Sequence, residues 1–504
     1  MNFNSIQFLI YLPVVTALYF LLPQRWRWVM LLGASYYFYM SWNPKLVFLI
    51  AFTTVVSYVA GLVMERVRED KRKRRITLTV TLCACLGVLF FFKYFNFLSN
   101  SVTGLLRAVR LPVDDLTLQL ILPVGISFYT FQTLSYVIDV YRGTIPAERH
   151  FGYYALFVSF FPQLVSGPIE RPQDLLPQLK AEHTFTRDNL IEGLKLLLCG
   201  FFKKVVVADG VATYVNAVYN APETASGPAV ALATVLFTFQ VYCDFSGYTD
   251  IALGSARLIG IRLTQNFRLP FGSKSIQEFW TRWHVSLTGW FRDYVFYPLA
   301  TNKKLSRKAR KLGKKLGNRR LGIVLPQCVA LFVTFVLSGL WHGAAWTFVL
   351  WGAIHGLYQV VEQLTDRPRQ ALWKRLHVNT EGRLYGWWRM ALTFILCNFA
   401  LIFFRANSVA DLGVLLRALF TDWQLAGLLV SMELTGRRLV IIALSLVIMA
   451  LVDLHFAQGR SLRQPEGGEL VTAEGIAFLV MAIACAWLML LGGDGASAFI
   501  YFQF

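Results

Sequence analysis

The sequence predicts an all-α fold, a polytopic bundle of transmembrane helices. The 504 residues are 56% hydrophobic and only 15% charged, whereas soluble globular chains carry about 25% charged residues. Apolar runs of about 18 residues or more recur, and each is long enough to cross a hydrocarbon layer. Because backbone groups in lipid must be bonded within their own segment, and these runs show no period-two alternation, helices are expected rather than strands.

The apolar segments follow one another along the whole chain, and several are short or interrupted. We therefore expect about eleven to thirteen spans, some of them re-entrant or amphipathic. No polar stretch exceeds a loop, so residues 1–504 are predicted to form a single membrane domain. The predicted segments lie at 6–22, 28–42, 45–64, 76–98, 118–140, 151–166, 190–208, 228–243, 247–261, 321–337, 342–362, 388–404, 438–453 and 473–491.

The net charge of +20 is concentrated in short stretches between apolar segments, chiefly Arg66–Arg75 and Lys303–Arg320. Basic loops that flank spans are typical of the cytoplasmic side of a membrane, and they can contact anionic lipid. No separate basic domain is present that could bind nucleic acid, so a nucleic-acid partner is not expected.

A third basic stretch, Arg367–Arg383, is also expected to be cytoplasmic. If it and Lys303–Arg320 lie on the same side, residues 321–362 between them form a two-span hairpin. The turn of that hairpin is predicted at Ser338–Gly343, which places His342 at a break between helices.

His342 is the first candidate catalytic residue, because an ionisable residue inside a membrane segment is by default a functional-site hypothesis. Trp341 shields it, and Gly339 and Gly343 allow a ligand or backbone to approach closely. An imidazole that titrates near neutrality is the usual general base for a hydroxyl or thiol. The alternative is a structural histidine bonded to a backbone carbonyl. His355, deeper in the same apolar run, is expected to be structural.

The segment Ser275–Leu299 carries aromatic residues at helical spacing and predicts one amphipathic helix at the membrane interface or in a re-entrant position. His284 lies on its aromatic stripe, next to Trp283 and Arg282. A role in binding or positioning a substrate and a plain packing role are both open for this histidine.

Asp244 and Asp250 interrupt an apolar run, at a cost of about 3 kcal/mol for each carboxylate at the bilayer centre. Six residues correspond to about 240° on a continuous helix, so the two share a face only if the helix is broken. Together with Arg257 they form a third candidate group. Structural pairing with a nearby arginine or lysine is the leading interpretation, and orientation of a catalytic imidazole is the sharper one.

Metal and nucleotide chemistry find no support in the sequence. The seven cysteines lie almost entirely in apolar segments, where cysteine behaves as a small hydrophobic residue. No Walker A, G-x-S-x-G or H-E-x-x-H pattern is present. We expect no disulfide framework, no metal site and no bound cofactor.

Two stretches, "FWTRWHVSLTGWFRDYVFYPL" and "SGLWHGAAWTFVLWGAIHG", resemble the membrane-bound O-acyltransferase (MBOAT) superfamily, in particular the branch of the alginate O-acetyltransferase membrane subunit. "YCDFSGYTDIALG", "LPVGISFYTFQTLSYVIDVYRG", "FPQLVSGPIERP", "NFRLPF", "LIFFRA" and "FIYFQF" are similar to the same branch. Each motif is weak alone, but their joint order is specific and covers most of the chain, with an approximate family core at 118–405.

The resemblance implies a helical ring with a central tunnel, and acyl transfer from a cytoplasmic thioester to an acceptor on the other side. His342 matches the catalytic histidine of the family's W-H-G motif, and His284 the histidine of its R-W-H segment. Trp341, Trp283, Arg282, Asp244 and Asp250 are expected to support the site.

The expected activity is O-acetylation of an exported polysaccharide, most simply alginate, in the bacterial inner membrane. The donor substrate would be acetyl-CoA or an acetylated carrier, and a periplasmic O-acetyltransferase partner would complete delivery. D-alanyl transfer and acyl transfer to peptidoglycan or cellulose are alternatives within the superfamily. A polysaccharide or lipid transporter is the alternative from another class, but the chain shows no internal repeat of the kind many transporters have.

Overall fold

The computed structural model describes residues 1–457 except 112, 115, 121, 426, 427, 429–431 and 433, together with 478–483, 485, 499 and 500. Regular secondary structure in these residues is helical throughout, so the predicted all-α class is confirmed. The predicted segment 473–491 and the motif "FIYFQF" lie mostly outside the described residues.

The chain divides into two compact units, and the first comprises residues 1–202, 247–265 and the described residues beyond 470. Buried tyrosines form part of its core, where the Tyr154 hydroxyl donates to Ser57 at 2.6 Å and Tyr136 accepts from the backbone N–H of Glu148 at 2.9 Å. Its helices are α1 (Ile6–Leu21), α2 (Gln24–Met40), α3 (Val47–Arg66), α4 (Lys71–Leu89), α5 (Phe95–Ala108), α6 (Ile126–Arg142), α7 (Phe151–Ser159), α8 (Pro172–Lys180) and α9 (Arg187–Phe201).

The second unit comprises residues 203–246 and, as far as they are described, 266–470. Helix α11 (Gly227–Leu258) begins in this unit and ends in the first. The other helices of the second unit are α10 (Asp209–Tyr219), α12 (Ile276–Arg282), α13 (Val285–Phe291), α14 (Tyr297–Ala300), α15 (Lys303–Lys315), α16 (Arg319–His342), α17 (Trp346–Arg375), α18 (Arg383–Arg405), α19 (Val409–Thr421) and α20 (Gly436–Ala457).

Five helical stretches of the described chain are long and apolar enough to cross a membrane by length and composition. They are Pro44–Arg66, Lys71–Ala108, Gly227–Leu258, Arg319–His342 and Arg383–Arg405. Several other predicted segments form shorter helices. The predicted 151–166, for example, is helical only over Phe151–Ser159, and Pro162 follows directly in the non-helical chain.

Helix α11 corrects one prediction. Residues 228–243 and 247–261 were expected as separate segments, but a single helix runs through Asp244 and Gly247. The Asp244 carboxylate is paired with a lysine, which removes the need to break the helix around it. Gly247 is a packing site, because its carbonyl oxygen would lie 2.6 Å from a Cβ atom on Gly200 of α9.

The single amphipathic helix predicted over 275–299 is also wrong. Helix α12 ends at Arg282, His284 adopts the left-handed conformation (φ 45°, ψ 54°), and α13 begins at Val285. A π-helical turn, Arg292–Phe296, then precedes α14. The hydrophobic spacing correctly predicted helical structure, but it gave no sign of the break between α12 and α13.

Two predicted loops are helices. The basic stretch from Lys303 forms α15, and α17 continues through the predicted loop as far as Arg375. The hairpin turn also falls later than Ser338–Gly343, since α16 extends to His342 and α17 begins at Trp346. His342 is therefore the last residue of a helix, directly before the break.

Candidate active site

Two glycines bring helices α16 and α17 into close contact. A Cβ atom on Gly352 would overlap the backbone carbonyl oxygen of Phe335 and lie 3.1 Å from Cα of Gly339. A Cβ atom on Gly339 would meet Gly352 in the same way. Small residues at a helix crossing let the two backbones approach closely. This crossing fixes the end of α16, and with it His342, against the first turns of α17.

His342 is 3% exposed and lies among aromatic rings. Its ring centroid is 4.9 Å from that of Trp341, 5.0 Å from Trp351 and 5.4 Å from Phe404, all in edge-on geometry. These rings come from α16, α17 and α18, so three helices position one imidazole. The three aromatic rings exclude water from this imidazole.

His284 is fully buried at the break between α12 and α13, and the loop before α12 holds that break in place. The backbone N–H of Val285 donates to the Asn266 carbonyl at 3.0 Å, and the N–H of Arg268 donates to the Arg282 carbonyl at 2.9 Å. The N–H of Ser286 donates to Asn266 Oδ1 at 3.1 Å. A residue other than glycine in the left-handed region is strained, and such strain persists only where surrounding bonds impose it.

The tautomer of His284 follows from these bonds. A backbone N–H can only donate, so the Asn266 atom that faces Ser286 is the carbonyl oxygen, Oδ1. His284 Nδ1 lies 3.4 Å from the same oxygen. In a neutral ring Nδ1 then carries the proton, which leaves the lone pair on Nε2. Nε2 is the atom through which His284 can accept a proton or a hydrogen bond from a substrate.

The structure places the two predicted site histidines on either side of one indole. The ring centroids of His284 and Trp341 are 6.0 Å apart, and those of Trp341 and His342 are 4.9 Å apart. The histidines are 58 residues apart in sequence, so their contact with the same indole could not be predicted. On the side of α11, Phe245 also contacts His284, at 4.6 Å between ring centroids.

The side chains of Trp283 and Arg282 stabilise the break between α12 and α13 through contacts with α12 and the loop before it. The Trp283 indole stacks on Phe279 at 5.4 Å and meets Phe267 edge-on at 5.1 Å. Arg282, about one-third exposed, pairs with Glu278 at 2.6 Å and donates to the Leu269 carbonyl at 3.3 Å. Both side chains therefore connect α12 with the loop that holds His284.

Asp244 forms an ion pair with a lysine, as its leading interpretation predicted, in a buried network whose members the sequence did not identify. Lys204 Nζ lies 2.9 Å from both Asp244 Oδ1 and Asp209 Oδ1, and its side chain is 1% exposed. The adjacent Lys203 pairs with Asp453 at 2.7 Å. Both lysines lie on a π-helical turn, Phe202–Ala208, a local geometry that is frequent at functional sites.

Asp250 and Arg257 belong to the first unit, unlike Asp244. Asp250 is partly exposed, and Arg257 pairs with Glu192 at 2.5 Å. Asp244 and Arg257 therefore have separate ion-pair partners, Lys204 and Glu192.

His355 lies one turn beyond Trp351 on α17 and accepts a hydrogen bond from a tryptophan side chain. Trp280 Nε1 donates to His355 Nδ1 at 3.3 Å, and the two rings meet edge-on. Trp351 contacts both His342 and His355, with ring centroids 5.0 Å apart in each case. The sequence does not single out Trp351, Asn266 or the two lysines. The pair "KK" inside "LCGFFKKVVVADGV" is the one visible signal.

In the first unit, a buried acid lies outside the candidate spans. Glu170 is 1% exposed and accepts hydrogen bonds from the backbone N–H of Thr264 at 2.6 Å and from its hydroxyl at 3.0 Å. Burial raises the pKa of Glu170 to about 7, and the two bonds from Thr264 oppose that shift.

The fold and this site define a class of protein, a helical membrane protein with a buried pair of histidines in aromatic surroundings. A model of the MBOAT, membrane-bound O-acyltransferase family matches residues 148–314. A probable alginate O-acetylase of Azotobacter vinelandii is 34% identical over the full length of both chains.

Two further relatives carry other names. A peptidoglycan O-acetyltransferase of Helicobacter pylori is 31% identical over 81% of this chain and 77% of its own. A teichoic acid D-alanyltransferase of Bacillus subtilis is 30% identical over 46% of this chain and 57% of its own. The chain belongs to the membrane-bound O-acyltransferase family, which confirms the resemblance. It is a multi-pass membrane protein and an O-acyltransferase.

Proposed function

We propose that this chain transfers an acetyl group from a thioester donor on the cytoplasmic side of the inner membrane toward an exported polysaccharide, most simply alginate. The observation that carries the proposal is the buried pair His342 and His284 around Trp341, in a chain similar over its whole length to a probable alginate O-acetylase. The transporter alternative finds no support in these comparisons.

His342 acts as the general base. The acceptor hydroxyl oxygen attacks the carbonyl carbon of the acetyl thioester while His342 takes the hydroxyl proton. The carbonyl π electrons move onto oxygen and form an oxyanion. When the oxyanion collapses, the C–S bond breaks, the sulfur leaves with the bonding pair and receives the proton from His342. His284 binds one of the two substrates through Nε2. General-base catalysis of this kind contributes about 10²–10⁴-fold.

The basic helix α15 supports a phosphate-bearing donor such as acetyl-CoA, and also an acidic acetylated carrier. It lines a groove of about 520 Å³ formed by Thr301, Lys303, Ser306, Arg307, Arg310, Lys311 and Lys314. Five of these seven residues are cationic. Cationic clefts concentrate anionic ligands and accelerate their association. Helix α15 is anchored to α16, where a Cβ atom on Gly313 would lie 2.8 Å from the backbone nitrogen of Gly322.

We infer that the acceptor side involves a periplasmic O-acetyltransferase partner, which takes the acetyl group and delivers it to the polysaccharide. A peptidoglycan acceptor is the second candidate, because the Helicobacter pylori relative carries that name and covers most of this chain. Parallel assays with alginate and with peptidoglycan fragments separate the two.

The test is acetyl transfer in proteoliposomes that contain the chain and its periplasmic partner, with labelled acetyl-CoA or an acetylated carrier. We expect His342→Ala to lower transfer at least 100-fold at a normal amount in the membrane, as loss of a general base does. His377→Ala removes an exposed histidine of the same unit and should leave transfer unchanged. Wild-type transfer by His342→Ala would contradict the base assignment. No transfer by the wild-type chain from either donor would contradict the function.

A further inference from the structure

The arginine that ends helix α18 is surrounded by neutral side chains. The Arg405 guanidinium donates to three asparagine oxygens, Asn407 Oδ1 at 2.9 Å, Asn216 Oδ1 at 2.7 Å and Asn220 Oδ1 at 3.4 Å. Its central carbon lies 5.2 Å from the ring centroid of Tyr219. Within the part of the chain that the structure describes, no carboxylate lies within ion-pair distance of Arg405, so its positive charge is not paired.

These bonds differ from those of a basic residue that caps its own helix. Basic side chains near the end of a helix commonly bond the last carbonyl oxygens of that helix. Arg405 instead donates to side chains of α10 and of the loop after α18. A guanidinium has five N–H donors, and the three bonds leave at least two of them available. Arg405 is partly exposed and the three asparagines are exposed, so an external ligand can reach the cluster.

The asparagines add hydrogen-bonding groups beside the charge. An arginine N–H can only donate, so the atoms of Asn216 and Asn220 that face Arg405 are the Oδ1 oxygens. The Nδ2 amide groups of both residues have no acceptor among the described residues. Asn407 differs, because its Nδ2 donates to the Tyr219 carbonyl at 3.1 Å and to Asn220 Oδ1 at 3.2 Å. The cluster therefore offers one cation with two amide donors next to it.

The cluster adjoins the aromatic surroundings of His342. Phe404 directly precedes Arg405, and its ring centroid lies 5.4 Å from that of His342. Helix α18 is long and apolar enough to cross a membrane, and it begins at Arg383, in a stretch expected on the cytoplasmic side. We therefore expect Arg405 at the opposite end, on the side of the exported polysaccharide.

We propose that Arg405, Asn216 and Asn220 bind a uronate sugar of the polysaccharide. The inference rests on the polysaccharide acceptor of the proposed function. A guanidinium binds a carboxylate through parallel N–H donors, and asparagine amides can bond the hydroxyls of the same sugar. A carboxylate of a protein needs only the cation, so the amides beside it favour a sugar. The site holds an acidic polysaccharide at the end of α18 that carries the wall of His342.

The test is binding of a short oligouronate to the full chain in neutral detergent, measured by titration calorimetry. The carboxyl-reduced, neutral form of the same oligosaccharide is the comparison ligand. We expect the oligouronate to bind about tenfold more tightly than the neutral form. Arg405→Gln keeps an amide that can donate to the asparagines but removes the charge, so it should abolish this preference. Arg405→Lys keeps the charge without the planar fork and should retain part of it.

Arg417→Gln is the matched control, because it removes the same charge from an exposed position on α19 of the same unit. It should bind both ligands as the wild type does. Thermal unfolding checks that Arg405→Gln folds. If it does not, Asn216→Ala decides, because it removes one exposed amide and should weaken oligouronate binding severalfold.

Equal affinity of the wild-type chain for the two oligosaccharides overturns the proposal, as does wild-type binding by a folded Arg405→Gln. An acidic peptide that binds more tightly than the oligouronate, and only when Arg405 is present, overturns the sugar in favour of a protein ligand. Binding does not require acetyl transfer. A chain that prefers the oligouronate but transfers nothing therefore contradicts the proposed function and supports the binding site.

Discussion

Substitution of Gly352 by alanine tests whether the α16–α17 crossing positions His342. The added Cβ would overlap the carbonyl oxygen of Phe335 and lie 3.1 Å from Cα of Gly339, whereas ordinary contacts of a Cβ atom begin near 3.4 Å. Both neighbours are backbone, so no side chain can rotate away. Relief of the overlap moves the helices apart by about 1 Å in a closely packed interior. Overpacking of this kind costs about 1–3 kcal/mol.

The expected effect on activity is larger than the effect on stability. His342 lies three residues beyond Gly339, directly at the displaced end of α16, and a misplacement of about 1 Å can cost 100-fold in rate. Alanine also raises helix propensity by about 1 kcal/mol, which offsets part of the lost stability but none of the displacement.

The measurement is acetyl transfer in proteoliposomes, together with the melting temperature in detergent. Gly413→Ala is the control, because its Cβ would meet nothing within 4 Å in helix α19 of the same unit. We expect wild-type transfer from Gly413→Ala and transfer reduced about 100-fold in Gly352→Ala. A Gly352→Ala protein with wild-type transfer would show that the crossing does not set the position of His342.

Two further predictions concern buried charges. Lys204→Met removes the cation that pairs with Asp244 and Asp209, and Asp244 stays buried. We therefore expect the free energy of unfolding to fall by about 3–5 kcal/mol, which is measured as a lower melting temperature. An unchanged melting temperature would contradict the ion pair. For Glu170, the pKa of about 7 in the fold exceeds the ordinary 4.5, so the contribution of this group to stability is most favourable below pH 4.5 and falls by up to ~3 kcal/mol as pH rises through 7. Glu170→Gln keeps an acceptor for Thr264 and should abolish this loss, and equal melting curves for both proteins between pH 5 and 8 would refute it.

The hairpin that carries His342 could be predicted from charge alone. The basic stretches at Lys303–Arg320 and Arg367–Arg383 predict two spans between them, and helices α16 and α17 lie there. Of these two helices, α16 is long and apolar enough to cross a membrane by length and composition. The turn was predicted several residues early, because Ser338 and Gly339 look like a helix end in sequence. In the structure Gly339 is a packing residue inside α16, and the helix ends only at His342.

The break at His284 could not be predicted from the segment that contains it. The aromatic spacing from Ile276 onward continues through the break, and no glycine or proline marks it. The bonds that impose it come from Asn266 and Arg268 on another loop. Local patterns describe propensity, whereas the left-handed histidine depends on hydrogen bonds from outside its own segment.

The lysine pair of the second unit escaped prediction for a similar reason. "KK" inside an apolar run looks like an interruption of a span. One carboxylate partner, Asp209, is close in sequence, but the other two lie far along the chain. Asp244 of α11 and Asp453 of α20 supply them. The charge of Asp244 was visible in sequence, but the cation that neutralises it was not.

The loop that holds His284 also has a consequence for biosynthesis. Asn266 and Arg268 precede the histidine in the chain and leave the ribosome first, so their hydrogen-bonding groups are present when the His284 segment emerges. The strained turn can close on a short local loop of about twenty residues, at a small entropic cost. Insertions between the two would lengthen this loop without touching either histidine, and they would add only a small further entropic cost.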